Sequence, residues 1–320
     1  MAQPLVIVVG GSGFVGTNVV KALVKQHCMV KVLVRDKEKA AHLKPLGDVG
    51  QVHVSSADLN DMQTIAPHLK HADAVINLVG ILKQSSHQRF RVLHSQMAGV
   101  LADEAQKAGV GRYIHMSALG VDKAQHDSGY AASKMEGEEH VKHFFPSATI
   151  IRPSVVFGAG DGFFSLFAKI CSIAPALPLA GGGKTMFQPV FVGDVAEVIA
   201  RAVFDKKMVG ETYELGGAER ISLKEIVRYI GKLTDSKTFV IPVPFFMMRV
   251  FGWLTGWLPG APMTADQVQL LRHHNVVNGS AKNFEDLGMN PTPFQTIVPS
   301  YLEHFTTKKR QRLTVGDVSG

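Results

Sequence analysis

Leu5-Val6-Ile7-Val8-Val9-Gly10-Gly11-Ser12-Gly13-Phe14-Val15-Gly16 is the stretch that decides the fold. The apolar run Leu5 to Val9 is rich in β-branched residues and reads as a buried strand. Residues 15–26 read as a helix, so the glycines spaced G-x-x-G-x-x-G lie between a strand and a helix. Glycine there permits a tight turn, lets the backbone approach a pyrophosphate, and lets the helix pack closely on the strand. The helix start offers unpaired N–H groups and the positive end of its dipole to phosphate. A glycine triplet alone is weak evidence; the strand–loop–helix context is what makes it a dinucleotide fingerprint. Gly10, Ser12, Gly13, Phe14, Val15 and Gly16 are therefore the first candidate cofactor contacts.

Outward from this loop, short apolar strands alternate with helical segments. Residues 30–34, 52–54, 74–78, 113–116 and 148–153 read as further strands, and 211–215 as a seventh. An alanine-rich helix covers about residues 92–108. Such alternation predicts an α/β fold of the Rossmann type, a doubly wound parallel sheet with helices on both faces. Residues 1–158, completed by about 190–217, form the expected nucleotide core. Residues 159–189 and 218–305 lose the alternation and predict a smaller, mostly helical C-terminal cap over the carboxyl edge of the sheet. Residues 306–320 form a basic tail.

The end of the second strand discriminates between nicotinamide cofactors. An NAD site places an acid there for the ribose 2′-hydroxyl, whereas this chain has Arg35, suited to a 2′-phosphate. The reading favours NADP(H), with NAD(H) as the alternative if Asp36 takes the acidic place. Asp58-Leu59 after the third strand is placed to meet the adenine, a turn-forming aspartate being the plain structural reading. Val79 and Gly80 end the fourth strand where the nicotinamide ribose is expected.

Tyr130 and Lys134 lie four residues apart on one helical face, with Ser117 at the end of the fifth strand. An ammonium beside a phenol favours the phenolate, and a nearby hydroxyl can orient a carbonyl or alcohol for hydride exchange. Y-x-x-x-K occurs by chance in many helices; its place after the fifth strand gives it weight.

With these residues in order, and with Arg152-Pro153-Ser154 beyond them, the chain resembles the short-chain dehydrogenase/reductase superfamily in its extended or atypical branch. The resemblance spans roughly residues 5–217. It implies Tyr130 as acid/base, Lys134 as the ribose-binding residue, Ser117 as substrate polariser and Pro153 as a further cofactor contact. In the second half, Ile241-Pro242-Val243-Pro244, Pro262-Met263-Thr264-Ala265-Asp266-Gln267-Val268 and Phe284-Glu285-Asp286-Leu287-Gly288-Met289 resemble the branch of the NADPH-binding accessory subunits of respiratory complex I. That resemblance implies a largely structural NADPH and complex I subunits or a membrane edge as partners. The alternative it leaves open is an active NADPH-dependent reductase, dehydrogenase or epimerase acting on a small carbonyl, quinone or nucleotide sugar. Ala118 after Ser117 and the short segment up to Tyr130 depart from the active pattern.

Composition bounds the rest. The chain has 320 residues, a formal charge of +7 and only two cysteines, Cys28 and Cys171, which excludes a disulfide framework and a cysteine-built zinc site. His68 and His71, and the pair His273-His274, lack a metal-ligand pattern, so no metal is expected. Lys308-Lys309-Arg310 and Arg312 read as a solvated end, or as a contact for anionic lipid or an acidic partner. No basic, aromatic-interleaved element accompanies them, so no nucleic acid partner is expected. The apolar run begins without a targeting segment, which predicts a cytoplasmic protein, or one peripheral on the inner face of a respiratory membrane (the matrix side if organellar). Residues 239–258 carry one charge, Arg249, and both tryptophans. Pro242, Pro244, Gly252 and Gly256 argue against a membrane span. They leave a buried cap helix as the expectation and an exposed apolar docking surface as the alternative.

Overall fold

The strand β1 (Leu5–Val9) is fully paired on both sides, to β2 (Met29–Val34) and to β4 (Ala74–Asn77), in parallel register with Val6 opposite Val30 and Ala74. Adding β3 (Val52–Ser56), β5 (Arg112–Met116), β6 (Thr149–Pro153) and β7 (Thr212–Leu215) gives a seven-stranded all-parallel sheet. Its order is 7-6-5-4-1-2-3. The order reverses between β1 and β4, so a crevice opens at the carboxyl ends of these two strands, where ligands of such sheets bind. The computed structural model describes residues 3–58, 61–82, 89–255 and 263–305.

Both faces of the sheet are covered, as the near-continuous apolar strands require. Helix α1 (Phe14–Lys25) buries Val19, Val20 and Leu23 and packs with α4 (Val192–Ala202). Helices α2 (Met97–Lys107) and α3 (Gly129–Phe144) pack together. Ala98, Leu101 and Ala105 of α2 and Val141 of α3 join Val75, Tyr113 and Ile150 of the strands in one core cluster. Val192–Ala202 and Thr212–Leu215 belong to this first unit, Met1–Pro153, Val192–Leu215 and Asn278–Asp286. The last piece lies along the sheet edge: Lys282 O accepts the Glu214 amide at 2.9 Å and Lys282 Nζ pairs with Glu211 at 2.9 Å.

The second unit comprises Ser154–Phe191, Gly216–Val277 and Leu287–Gly320. It combines the helices Phe164–Ile173, Leu223–Leu233 and Phe294–Leu302 with short paired strands, around a core of Phe157, Phe164, Phe187, Ile226, Ile230 and Phe294. Leu223–Leu233 opens with a capping box between Ser222 and Glu225.

In its described part, residues 239–255, the stretch 239–258 departs from the expected buried helix. Phe239–Val243 is a strand paired in parallel with Ala176–Ala180, and Phe245–Thr255 is a helix. Pro244, which cannot continue a ladder or sit inside a helix, separates them. Met248 and Gly252 are buried, whereas Phe246 is 69% exposed and Trp253 74%, with Met247, Val250, Phe251 and Leu254 exposed beside them. Among the described residues no helix is long and apolar enough to cross a membrane. Trp257, the basic tail and Leu59 lie outside the described residues.

Candidate functional site

The loop after β1 has the geometry that the glycines predict. Gly10 has φ +82°, and a Cβ there would stand 3.2 Å from the Leu78 carbonyl carbon at the end of β4. A Cβ on Gly16 would stand 2.5 Å from the Gly10 carbonyl oxygen, so only glycine lets α1 start this close to the loop. Gly13 begins α1 in extended backbone with no side chain capping the first turn. Ser12 and Gly13 are exposed, and Phe14 and Val15 half-buried, beside these uncapped amides. The arrangement fits a pyrophosphate: a narrow glycine cradle facing an anion-binding helix end.

Arg35 is exposed at the end of β2. Asp36, the alternative acid, is turned aside: its Oδ1 accepts from the Glu38 and Lys39 amides at 3.0 and 3.3 Å, and Oδ2 pairs with the Lys39 ammonium at 3.3 Å. Those bonds, the Lys39 backbone first, hold its carboxyl below the usual carboxylate range. Asp58 is exposed after β3, its backbone N–H donating to Thr64 Oγ1 and its carbonyl accepting from the same hydroxyl. Thus β2 and β3 bring Arg35 and Asp58 to the same sheet end as the glycine loop.

The opposite side of the crevice is built on Lys134, the most consequential buried charge in this unit at 2% exposure. Its Nζ donates to the Val79 carbonyl at 3.2 Å and to the Met116 carbonyl at 3.1 Å, joining the ends of β4 and β5. An ammonium has three protons, so among the described residues one remains for a ligand oxygen. Burial pushes Lys134 down to about 8, against the opposing pull of Glu138. Gly80 is close by: a Cβ there would stand 3.3 Å from Lys134 Nζ. Ser117 is buried, and its Oγ has no hydrogen-bond partner among the described residues. Tyr130, half-buried, stands in the first turn of α3 behind the cap Ser128, whose Oγ accepts the Ala131 amide at 3.2 Å. Pro153 ends β6, with its carbonyl accepting the Leu119 amide at 2.9 Å.

Three side chains had no role assigned to them from the sequence. Arg152 on β6 makes a bidentate pair with Glu138 of α3, Nε to Oε1 at 2.9 Å and Nη2 to Oε2 at 2.8 Å, and stands 3.7 Å from Glu214 of β7. This pair fixes α3, and with it Lys134, against the sheet; Arg152 entered the sequence reading only within Arg152-Pro153-Ser154, with no partner named. His94 is fully buried, accepts the Ile81 amide on Nε2 at 2.9 Å and lies 3.0 Å from Ser133 Oγ through Nδ1. His115 on β5 is also buried, and burial, then the charges of Lys134 and His94, hold its pKa well below the usual histidine range. Among the described residues no group of three or more His, Cys, Asp or Glu could hold a metal ion.

Comparison with known proteins places this arrangement. The model of the NAD dependent epimerase/dehydratase family matches residues 6–216. The chain is 34% identical over 291 residues to the mitochondrial NADH dehydrogenase (ubiquinone) 1 alpha subcomplex subunit 9 of Mus musculus, a match covering 90% of this chain and 77% of that protein. It is 30% identical over 299 residues to the mitochondrial NADH-ubiquinone oxidoreductase 40 kDa subunit of Neurospora crassa, covering 93% and 78%. Among solved structures, the NADPH-dependent quinone oxidoreductase of Escherichia coli complexed with NADPH shares the fold at a TM-score of 0.73 and 19% identity, over 93% of this chain and 99% of that one.

Proposed function

The chain belongs to the NAD dependent epimerase/dehydratase family, and from that premise we propose that it is an NADPH-holding accessory or assembly subunit of a complex I-type respiratory enzyme. The observation that carries the reading is the extent of the likeness to complex I subunits: it runs through the second unit as well as the nucleotide half. In this reading the nucleotide mainly stabilises the first unit. Any ligand that binds only the folded state adds stability by mass action.

Gly10, Ser12, Gly13, Phe14, Val15 and Gly16 hold the pyrophosphate, with Arg35 on the 2′-phosphate and Asp58 and Leu59 beside the adenine. Val79, Gly80, Lys134 and Pro153 line the nicotinamide-ribose end. The preference for NADP(H) over NAD(H) rests on Arg35 and on the engagement of Asp36 in its own turn. A bound nicotinamide would supply hydride chemistry; the chain's own contribution is to bind, orient and hold a proton near Lys134.

The exposed apolar helix Phe245–Thr255, with Arg249 among its apolar residues, is the contact we assign to the respiratory partner. The protein is then peripheral, on the inner face of the membrane that carries that enzyme. The decisive measurement is the nucleotide retained by purified protein and its exchange rate, together with co-fractionation with respiratory membranes. NADPH retained and exchanging over hours, in protein that follows the membranes, is the expected result. An empty protein that never co-fractionates sinks the proposal.

A second reading has its own support in the unpartnered Ser117 hydroxyl and the third proton of Lys134. In it the protein reduces a small carbonyl or quinone, with Tyr130 exchanging the proton. Tyr130→Phe then abolishes turnover and leaves NADPH binding intact; an unchanged rate removes that mechanism.

A further inference from the structure

Beyond β4 the backbone at Leu78–Leu82 has left the sheet, yet this segment lines the site. Besides the Leu78 amide, which donates to the Val9 carbonyl at 3.0 Å, three bonds hold it among the described residues. The Val79 amide donates to Asn77 Oδ1 at 3.1 Å, the Val79 carbonyl accepts from Lys134, and the Ile81 amide donates to His94 Nε2 at 2.9 Å. His94 lies within Arg91–Gln96, where the helix leading into α2 widens to π geometry. Such widened turns recur at functional sites because they re-aim one side chain.

The bonds around the ring define a single tautomer. Nε2 accepts from Ile81 and so carries no proton, which places the proton on Nδ1, 3.0 Å from Ser133 Oγ. Ser133 passes the direction on, its hydroxyl donating to the Tyr130 carbonyl at 2.8 Å. A continuous chain of donors thus runs from the Ile81 amide through His94 and Ser133 to the backbone of Tyr130. The ring is stacked on Phe90 at 5.5 Å and meets the Tyr130 ring edge-on at 5.4 Å, so its orientation is fixed by packing as well. Burial, then the Lys134 charge, push His94 down to about 3. The ring therefore stays an acceptor throughout the physiological pH range.

We propose that His94 is a positioning residue for the nucleotide: as a neutral acceptor it ties the Val79–Gly80–Ile81 turn to the start of α3, setting the spacing between the nicotinamide-ribose end of the site and the Tyr130/Lys134 pair. The inference rests on the nucleotide-binding reading and adds to it a directional claim. His94 governs affinity at the nicotinamide end and is neutral toward the adenine end, where Arg35 and Asp58 lie. A histidine that merely filled the core would affect both ends alike, or neither.

The test is calorimetric titration of the full-length protein with NADPH and with adenosine 2′,5′-bisphosphate, which carries only the adenine half. The variants are His94→Leu, His94→Gln and Ser133→Ala. His94→Leu is expected to weaken NADPH about tenfold or more while leaving the bisphosphate within about twofold, because the half-buried Ile81 N–H loses the acceptor it has among the described residues. Glutamine presents an oxygen that can replace Nε2, so His94→Gln is expected to recover NADPH affinity to within about threefold of wild type. Ser133→Ala keeps the ring and removes its Nδ1 partner; it is expected to show the same selectivity at smaller size. If His94→Leu does not fold, Ser133→Ala decides: equal loss of both ligands, or no loss of either, overturns the proposal. So does wild-type NADPH affinity in His94→Leu, or failure of His94→Gln to recover. Wild-type protein that binds neither ligand overturns the nucleotide reading itself, an outcome distinct from each of these.

Discussion

The two units handle apolar and charged groups in opposite ways. In the first, the charged groups at the site and one histidine are buried and paired: Lys134 on two carbonyls, Arg152 on Glu138, His94 between Ile81 and Ser133. Ser117 Oγ and the His115 ring nitrogens are buried there with no partner among the described residues. In the second, large apolar side chains stand in the open along Phe245–Thr255. Buried polar groups demand fixed partners and so give a rigid, specific site. Exposed apolar area demands a partner from outside. The difference matches the proposed roles, a small ligand in the first unit and a partner surface on the second.

The contrast can be broken most forcefully at Arg152. Arg152→Ala leaves Glu138 buried without its cation, and removing one member of a buried pair costs roughly 3–5 kcal/mol. Chemical denaturation is expected to show that loss; a change within about 0.5 kcal/mol, the range of an ordinary surface substitution, would show the first unit does not depend on its buried pairs. Next in size is Arg35→Leu. Loss of a charge-assisted bond to a 2′-phosphate is expected to weaken NADPH by roughly 10–100-fold and leave NADH unchanged, as read by titration. Equal affinities for both cofactors in wild type would remove the NADP preference.

Smaller again is the response to acid. His94 and His115 have folded pKa values below the ordinary 6.5, so below that pH the unfolded chain binds more protons than the folded one. Their contribution is complete above about pH 6.5 and is lost as pH falls toward the folded values. Between about pH 6.5 and 5 His94 is expected to remove roughly 1.5 kcal/mol, with His115 acting in the same direction, before most carboxylates titrate. Stability measured across this window should fall in wild type and fall less in His94→Gln; a flat profile contradicts the buried, neutral assignment. Smallest in stability is Trp253→Ser, expected to change unfolding by less than about 0.5 kcal/mol while reducing co-fractionation with respiratory membranes. A large loss of stability would mean that this surface is part of the fold.

Much of the first unit was legible because its signals are local. Apolar runs of four to six residues at βα spacing, and glycines between the first of them and a helix, announce the sheet and its crevice within a few residues of each feature. The Tyr130/Lys134 pair was visible for the same reason, since four residues make one turn. The partners of Lys134 were hidden: they are backbone carbonyls of Val79 and Met116, and any residue type carries one. His94 had no signal, because its partners, the Ile81 amide and the Ser133 hydroxyl, lie 13 and 39 residues away. Residues 239–258 misled by composition. Apolarity records what a segment avoids in water and says nothing of whether its cover comes from the same chain.

The discontinuity of the first unit bears on how the chain is made. Strand β7 comes after the first insertion and its outer neighbour, Asn278–Asp286, after the second. Lys282 O receives the Glu214 amide, and the Asn278 amide donates to Glu214 Oε2 at 2.8 Å, next to Arg152. A ribosome therefore exposes β6 and its buried arginine long before their last partners emerge, at roughly 5–20 residues per second. Until then the growing sheet ends in an open edge, the kind that pairs with neighbouring chains. The nascent protein is one for which chaperone protection during elongation matters more than after release.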